Sequence, residues 1–244
     1  MINIGTANKA ISLLKSVHPW LYTDMTEPLR LGTAQECVLM EDCVITKVAE
    51  TWIWAIFSDK SEKEAAEFIL SKMDKEDSLC LHSPHGPEKT RKIMGLVEDR
   101  VPCYIAVRLS QEPFQIKTDT VLKPLTHEHL EFVIQTYRMA KFYSNPEESF
   151  TEALDRGMIG AFVDGQIAGF IGRHTEGAMG MLEVLPNFRR RGLGKALEQK
   201  LINDYLSEGK IPYCHILETN AASLALERDL GFLISEESSV YWMN

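Results

Sequence analysis

Four cations, Arg189, Arg190, Arg191 and Lys195, fall within seven residues of the stretch LEVLPNFRRRGLGKAL (182–197), and no acid stands among them. The pattern reads as a strand ending at Pro186 and a helix beginning near Gly192. Gly192 and Gly194 let the backbone turn tightly and admit a ligand without Cβ interference. The first amides of a helix have no intrahelical partner, and the helix dipole favours an anion there. Cations beside such amides suit a pyrophosphate. Two nucleotide motifs fail on spacing. A Walker A loop needs a Lys followed by Ser or Thr, but Lys195 is followed by Ala196. A dinucleotide fingerprint needs a third glycine where Leu197 stands. The competing reading is a solvated turn that the glycines merely shape.

The elements that must position this loop are legible around it. The first half alternates in type: a helix over Ile4 to Val17, strands at Cys43–Ala49 and Thr51–Phe57, and a helix over Ser61–Met73. A strand at Leu79–His82, a helix at Pro87–Leu96 and a strand at Cys103–Val107 continue the series. The polar run Ser110 to Asp119, with Pro113, is the candidate linker. A strand at Val121–Leu125 and helices at His127–Arg138 and Pro146–Arg156 follow. Met158–Val163 and Gln166–Gly172 are apolar runs joined by Asp164-Gly165, a dipeptide suited to a hairpin turn. Met179–Leu185 completes an antiparallel meander. A helix from about Gly192 to Ser207 buries Leu197, Leu201 and Tyr205. A strand at Ile211–Leu217, a short helix Ala221–Leu230 capped by Thr219 or Asn220, and a last strand through Val240-Tyr241-Trp242 close the chain. The expected organisation is two domains, 1–115 and 116–244.

Composition limits the function classes. The 244 residues are 45% hydrophobic and 25% charged, enough for a proper core. With 26 Lys and Arg against 35 Asp and Glu, the net charge of -9 disfavours nucleic acid as a general partner. The first 115 residues carry 13 basic and 17 acidic side chains and the remainder 13 and 18, so the cations at 189–195 are a local cluster. Five scattered cysteines, Cys37, Cys43, Cys80, Cys103 and Cys214, form no CxxC pair, which indicates neither a disulfide framework nor a zinc ribbon. The first residues read as an amphipathic helix rather than a signal peptide, and no apolar run is long enough to span a bilayer. A soluble cytoplasmic protein with no membrane partner is expected. Its oligomeric state is open.

Arg189-Arg190-Arg191-Gly192-Leu193-Gly194 resembles the [QR]xxG-x-[GA] acyl-CoA-binding motif of the GNAT superfamily of N-acetyltransferases, after a strand bearing Val184 and Pro186 in V-x-P spacing. Asn220-Ala221-Ala222-Ser223-Leu224 followed by Leu230-Gly231-Phe232 resembles the family's second block. The order of elements from Val121 onward fits as well. The resemblance covers residues 116–244 and implies a mixed, mainly antiparallel central sheet flanked by helices. The α/β alternation of the first half is compatible with a degenerate second GNAT-like domain. The stretch HTEGAMGMLEVLPNFRRRG is similar to the glycine N-acyltransferase-like branch.

The resemblance implies acetyl-CoA as co-substrate and a small-molecule amine as acceptor, without a metal. Arg189, Arg190, Arg191, Gly192, Leu193, Gly194 and Lys195 would take the pyrophosphate. Val184 and Leu185 would take the pantetheine arm, with Asn220 and Ser223 contacting it. Charge-assisted hydrogen bonds of this kind contribute about 1.5–3 kcal/mol each. An amine must lose its proton before it attacks a thioester, so a base is needed. Glu183 is the first choice, one residue before Val184 and facing the opposite side of the strand; a solvent-facing carboxylate is its plain alternative. Glu176 and His174 are second choices, and His215 lies where some members carry a catalytic Glu. A Tyr seven residues after Asn220 would protonate the leaving thiolate, but Glu227 stands there. The oxyanion would be met by an amide near Val184 or Leu185. A non-catalytic acyl-CoA-binding sensor or scaffold is the rival reading.

Three other groups receive ordinary explanations. Cys80, His82 and His85 read as loop residues rather than metal ligands. His127-Glu128-His129 reads as a helix start, and Trp52 and Trp54 as strand packing.

Overall fold

The computed structural model describes residues 2–48, 53–74, 77–82, 100–236 and 239–243. The chain forms two compact units: Met1–Arg108 with Thr175–Gly177 and Tyr213–Asn244, and Leu109–His174 with Ala178–Pro212. This grouping differs from halves 1–115 and 116–244, because the end of the chain belongs to the first unit.

In the first unit, α1 (Ile4–Val17) starts at Asn3, whose side chain accepts from the Gly5 amide, and buries Ala7, Ala10 and Leu14 at helical spacing. A second helix, α2 (Thr23–Leu31), was hidden from the sequence pattern by Pro28 within it and by its threonines; it ends at Gly32 in the left-handed region (φ 72°). Strands β1 (Glu36–Leu39), β2 (Cys43–Val48) and β3 (Ile53–Ser58) form an antiparallel meander. Helix α3 (Glu62–Leu70) then leads to β4 (Ser78–His82), which pairs parallel to β3. Cys43, Ile45, Trp54, Ile56, Leu79 and Leu81 bury one face of these strands against Ala65, Ala66 and Ile69 of α3. The expected helix at Pro87–Leu96 and Trp52 lie outside the described residues.

β5 (Arg100–Val107) begins before Pro102 rather than after it. It pairs with β10 (Tyr213–Leu217), β11 (Leu233–Ile234) and β12 (Val240–Met243), so the sheet order is β1-β2-β3-β4-β12-β5-β10, with β11 on β5. The last strand is inserted between two strands of the first half: Trp242 faces Cys80 on β4 and Val101 on β5. The expectation of one central sheet for residues 116–244 is thereby corrected to two sheets. Helix α7 (Ala221–Asp229), capped by Asn220, connects β10 to β11.

The second unit has its own sheet, β6-β7-β8-β9, antiparallel throughout. β6 spans Val121–Pro124, β7 Ile159–Val163, β8 Gln166–Arg173 and β9 Met179–Val184. Asp164 (φ 49°) and Gly165 (φ 77°) make the tight β7–β8 turn that their dipeptide predicted. The expected helix at His127–Arg138 is a 3-10 turn over His127–His129 followed by α4 (Leu130–Thr136). With α5 (Pro146–Asp155), α4 covers one sheet face through Val133, Phe150, Leu154, Met158, Phe170 and Met181. Helix α6 (Leu193–Ser207) buries Leu193, Ala196, Leu197, Leu201, Ile202 and Tyr205 and packs on β7, β8 and β9. Asn203 of α6 pins the linker by bonding both the N–H (2.7 Å) and the C=O (2.9 Å) of Phe114. Among the described residues, no helix is long and apolar enough to cross a membrane.

Candidate active site

Strand β9 is the outer strand of its sheet, and its irregularity shapes the site. Phe170 faces Glu183 and Gly172 faces Gly180, so Met181 and Leu182 together oppose Ile171. This is a β-bulge, and Met181 sits in it at φ 55°. A non-glycine residue held there is strained, and burial of the Met181 side chain in the core under α4 and α5 keeps it in place.

Two residues on, Glu183 turns its side chain inward, only 4% exposed. The alternation read from the sequence put Glu183 opposite Val184, and the burial pattern of β9 follows it. The carboxylate is not solvent-facing. Oε2 accepts from Arg138 Nε at 2.9 Å and from the Arg138 backbone N–H at 3.5 Å, while Oε1 lies 3.4 Å from Arg189 Nη2. Tyr137 lies nearby: burial first, and then the Glu183 charge, push its phenol up to about 12, with Arg138 opposing. Sequence spacing gave no signal for Tyr137 or for Arg138, the latter meeting Glu183 across 45 residues of chain.

Beyond Pro186 the chain makes a 3-10 turn over Pro186–Phe188. Arg190 (φ 64°) and Gly192 (φ 76°) then adopt left-handed backbone, and α6 begins with no side-chain cap. Left-handed conformation at Gly192 is what the glycine is for: an added Cβ would meet nothing within 4 Å, so the backbone angle alone restricts the position. The Arg191 guanidinium stacks over Phe188 at 5.4 Å. Arg189 bends back, and its Nε donates to the Val184 carbonyl at 2.9 Å.

The two pantetheine candidates separate here. The Leu185 amide already donates to Ala168 on β8 (2.9 Å), so that donor is withdrawn from a ligand, whereas Val184 turns its carbonyl toward the Arg189 side chain. His174 packs over β9 at Gly180, where an added Cβ would collide with its ring.

The remaining candidates lie in the first unit. Asn220 and Ser223 cap α7: Asn220 Oδ1 accepts from the Ser223 amide (3.2 Å) and its Nδ2 donates to the Ser223 hydroxyl (3.0 Å). Glu227 is buried on the same helix. The Glu176 carbonyl accepts from the Tyr213 hydroxyl at 2.7 Å. His215 belongs to a buried cluster that sequence reading missed. Asp24 Oδ2 lies 2.7 Å from His82 Nε2, 3.2 Å from His215 Nε2 and 3.6 Å from Cys80 Sγ. Burial pushes the Asp24 carboxyl up, but the His82 charge and hydrogen bonds from His215 and His82 outweigh it and hold the group below the usual carboxylate range. Cys80 and His82 lie on β4, where a strand was expected over Leu79–His82, and their reading as loop residues is corrected; His85 lies outside the described residues.

The donors of Asp24, Cys80 and His215 approach one another as metal ligands would. Trp242 Nε1, however, donates to His215 Nδ1 at 3.1 Å. That leaves the proton of a neutral imidazole on Nε2, the nitrogen a metal would need. The set fits a hydrogen-bonded carboxylate better than a metal centre.

Residues 124–232 match the family model described as Acetyltransferase (GNAT) family. No curated protein matches the sequence. Solved structures do. An X-ray structure of a Drosophila protein is 14% identical with a TM-score of 0.70, over 99% of this chain and 96% of that one. A GCN5-related N-acetyltransferase-like protein from Streptococcus suis is 14% identical with a TM-score of 0.56, over 98% of this chain and 100% of that one. A GCN5-related N-acetyltransferase from Kribbella flavida is 12% identical with a TM-score of 0.52, over 97% and 93%. At such identities the likeness is one of fold. The fold is that of the GNAT-superfamily acetyltransferases.

Proposed function

We propose that the chain is an N-acyltransferase that moves the acetyl group of acetyl-CoA to the primary amine of a small molecule. The observation that carries this reading is the uncapped start of α6, with left-handed Arg190 and Gly192 and four clustered cations beside the open strand β9. Arg189, Arg190, Arg191 and Lys195 would hold the pyrophosphate with the amides of Gly192, Leu193 and Gly194. Val184 would pair with the pantetheine arm. Glu183 would take the proton of the incoming amine. Tyr137, kept protonated at neutral pH, could give up a proton but would not act as the base. His215 already accepts from Trp242 Nε1, which makes it a weaker candidate for the base.

The first half repeats the order of two helices, three-stranded meander, helix and strand found in the second, in support of a degenerate GNAT-like copy. Its equivalent turn is filled from within. Asp42 Oδ2 accepts the amides of Lys60 (2.6 Å) and Ser61 (3.1 Å), and its other oxygen accepts the Ser61 hydroxyl, at the turn into α3. A carboxylate there excludes a phosphate by charge and by occupancy, which favours a single acyl-CoA site per chain.

The two arginines on Glu183 and the Glu227 in place of a Tyr favour the rival reading of an acyl-CoA-binding sensor. Acetyl-CoA binding followed by thiol release across a panel of small amines supports the transferase. Tight binding without release on any amine supports the sensor.

A further inference from the structure

We infer that Arg189 is a latch that couples occupation of the phosphate site to exposure of the strand and carboxylate needed for transfer; this inference rests on the acyl-CoA reading above. One guanidinium covers two functional groups at once. Its Nε holds the Val184 carbonyl at 2.9 Å, the group to which the pantetheine arm would pair, and its Nη2 lies 3.4 Å from Glu183 Oε1. The other oxygen, Oε2, belongs to Arg138 at 2.9 Å. With both arginines in place, each oxygen of the buried carboxylate has a guanidinium beside it, and an incoming amine must share Oε1 with Arg189.

The two arginines are not equivalent in position. Arg138 follows α4, whereas Arg189 opens the cationic loop that leads into α6. Its side chain is 46% exposed, against 4% for the Glu183 carboxylate that it meets. A phosphate oxygen offers a full-charge partner in place of a backbone carbonyl and a 3.4 Å carboxylate contact. Phosphate binding thus draws Arg189 away, opens Val184 to the arm and frees Glu183 Oε1, while Arg138 keeps the carboxylate oriented. Arg189 is a positioning residue in this scheme, and it makes the site sense an intact donor before the base is uncovered.

The test splits the donor into its parts. S-acetylpantetheine carries the thioester without any phosphate, and 3′-phospho-ADP carries the phosphates without the thioester. Calorimetry on the full chain should show that saturating 3′-phospho-ADP tightens S-acetylpantetheine binding to the unmodified protein, within the roughly 5- to 150-fold range of such couplings. Arg189→Ala should bind S-acetylpantetheine more tightly than the unmodified protein by a similar factor, show no response to 3′-phospho-ADP, and bind intact acetyl-CoA more weakly. Independent binding of the two fragments to the unmodified protein overturns the latch, as does unchanged or weaker S-acetylpantetheine binding in Arg189→Ala. Absence of acetyl-CoA binding to the unmodified protein is a different failure: it removes the acyl-CoA reading itself and the latch with it. An unaltered circular dichroism spectrum and melting curve verify that the variant is folded.

Discussion

Arg138 Nε donates to Glu183 Oε2 at 2.9 Å, an ion pair between a side chain that is 73% exposed and one that is 4% exposed. The buried carboxylate is oriented by a residue on the surface. Solvent screens the outer partner, so Arg138→Ala should cost only about 1 kcal/mol of stability in a urea titration. Glu183→Gln keeps the shape and loses the base. Transfer to any accepted amine should fall by about 10²- to 10⁴-fold with acetyl-CoA affinity little changed. An unaltered rate removes Glu183 from the chemistry.

Asp42 predicts a stoichiometry. Because its carboxylate fills the turn into α3, titration with acetyl-CoA should saturate at one per chain. The hydrogen bond from Ser61, opposed by burial and assisted by the Lys60 and Ser61 amides, holds the Asp42 carboxyl below its ordinary range. A lowered folded-state value means stability that is present above the ordinary carboxylate pKa and lost as pH falls. Asp42→Asn should therefore melt below the unmodified protein at pH 7, and the gap should close toward pH 3.

Asp24 makes the first unit sensitive to acid by the same sign but from the interior. Its folded-state value is depressed, so its contribution is complete above the ordinary value of about 4 and is lost as pH falls further. Breaking a buried pair of this kind costs about 3–5 kcal/mol. Asp24→Asn should destabilise strongly at pH 7, with the difference from the unmodified protein shrinking below about pH 4. Parallel melting curves at all pH values contradict the placement of Asp24 between His82 and His215.

The loop itself can be separated from the fold. Arg190 holds left-handed backbone, which costs an L-residue roughly 1–2 kcal/mol, whereas glycine adopts it freely at a modest entropic cost in the unfolded chain. Arg190→Gly should leave stability within about 1 kcal/mol and weaken acetyl-CoA binding about tenfold through the lost cation. Gly192→Val, also at positive φ, should weaken binding by distorting the start of α6 without any steric clash. Tenfold weakening in Arg190→Gly with an unchanged melting temperature places Arg190 at the ligand.

The cation loop was legible because its chemistry is contiguous: three arginines, two glycines and a lysine within seven residues need no tertiary information. The Asp164-Gly165 turn was legible from a dipeptide that tolerates positive φ, and the two-residue repeat of a strand placed Glu183 opposite Val184 without deciding which of the two faces inward. The Glu183 partner Arg138 was not legible, because it meets Glu183 from the segment after α4, 45 residues away in the chain. The loss of the Leu185 amide to Ala168 depends on pairing register, which composition does not encode. Insertion of β12 between β4 and β5 is less local still: Val240 to Met243 read correctly as a strand but carry no mark of the sheet they join. Helix α2 was masked by Pro28, and with it the Asp24 cluster, whose members Asp24, His82 and His215 are spread over nearly 200 residues.

Isothermal titration of acetyl-CoA into the unmodified protein and into Arg190→Gly tests the central claim most directly. One site per chain on the unmodified protein, about tenfold weaker in the variant at unchanged stability, is the predicted result. No binding to the unmodified protein, or equal affinity in both, would contradict a donor site at the start of α6.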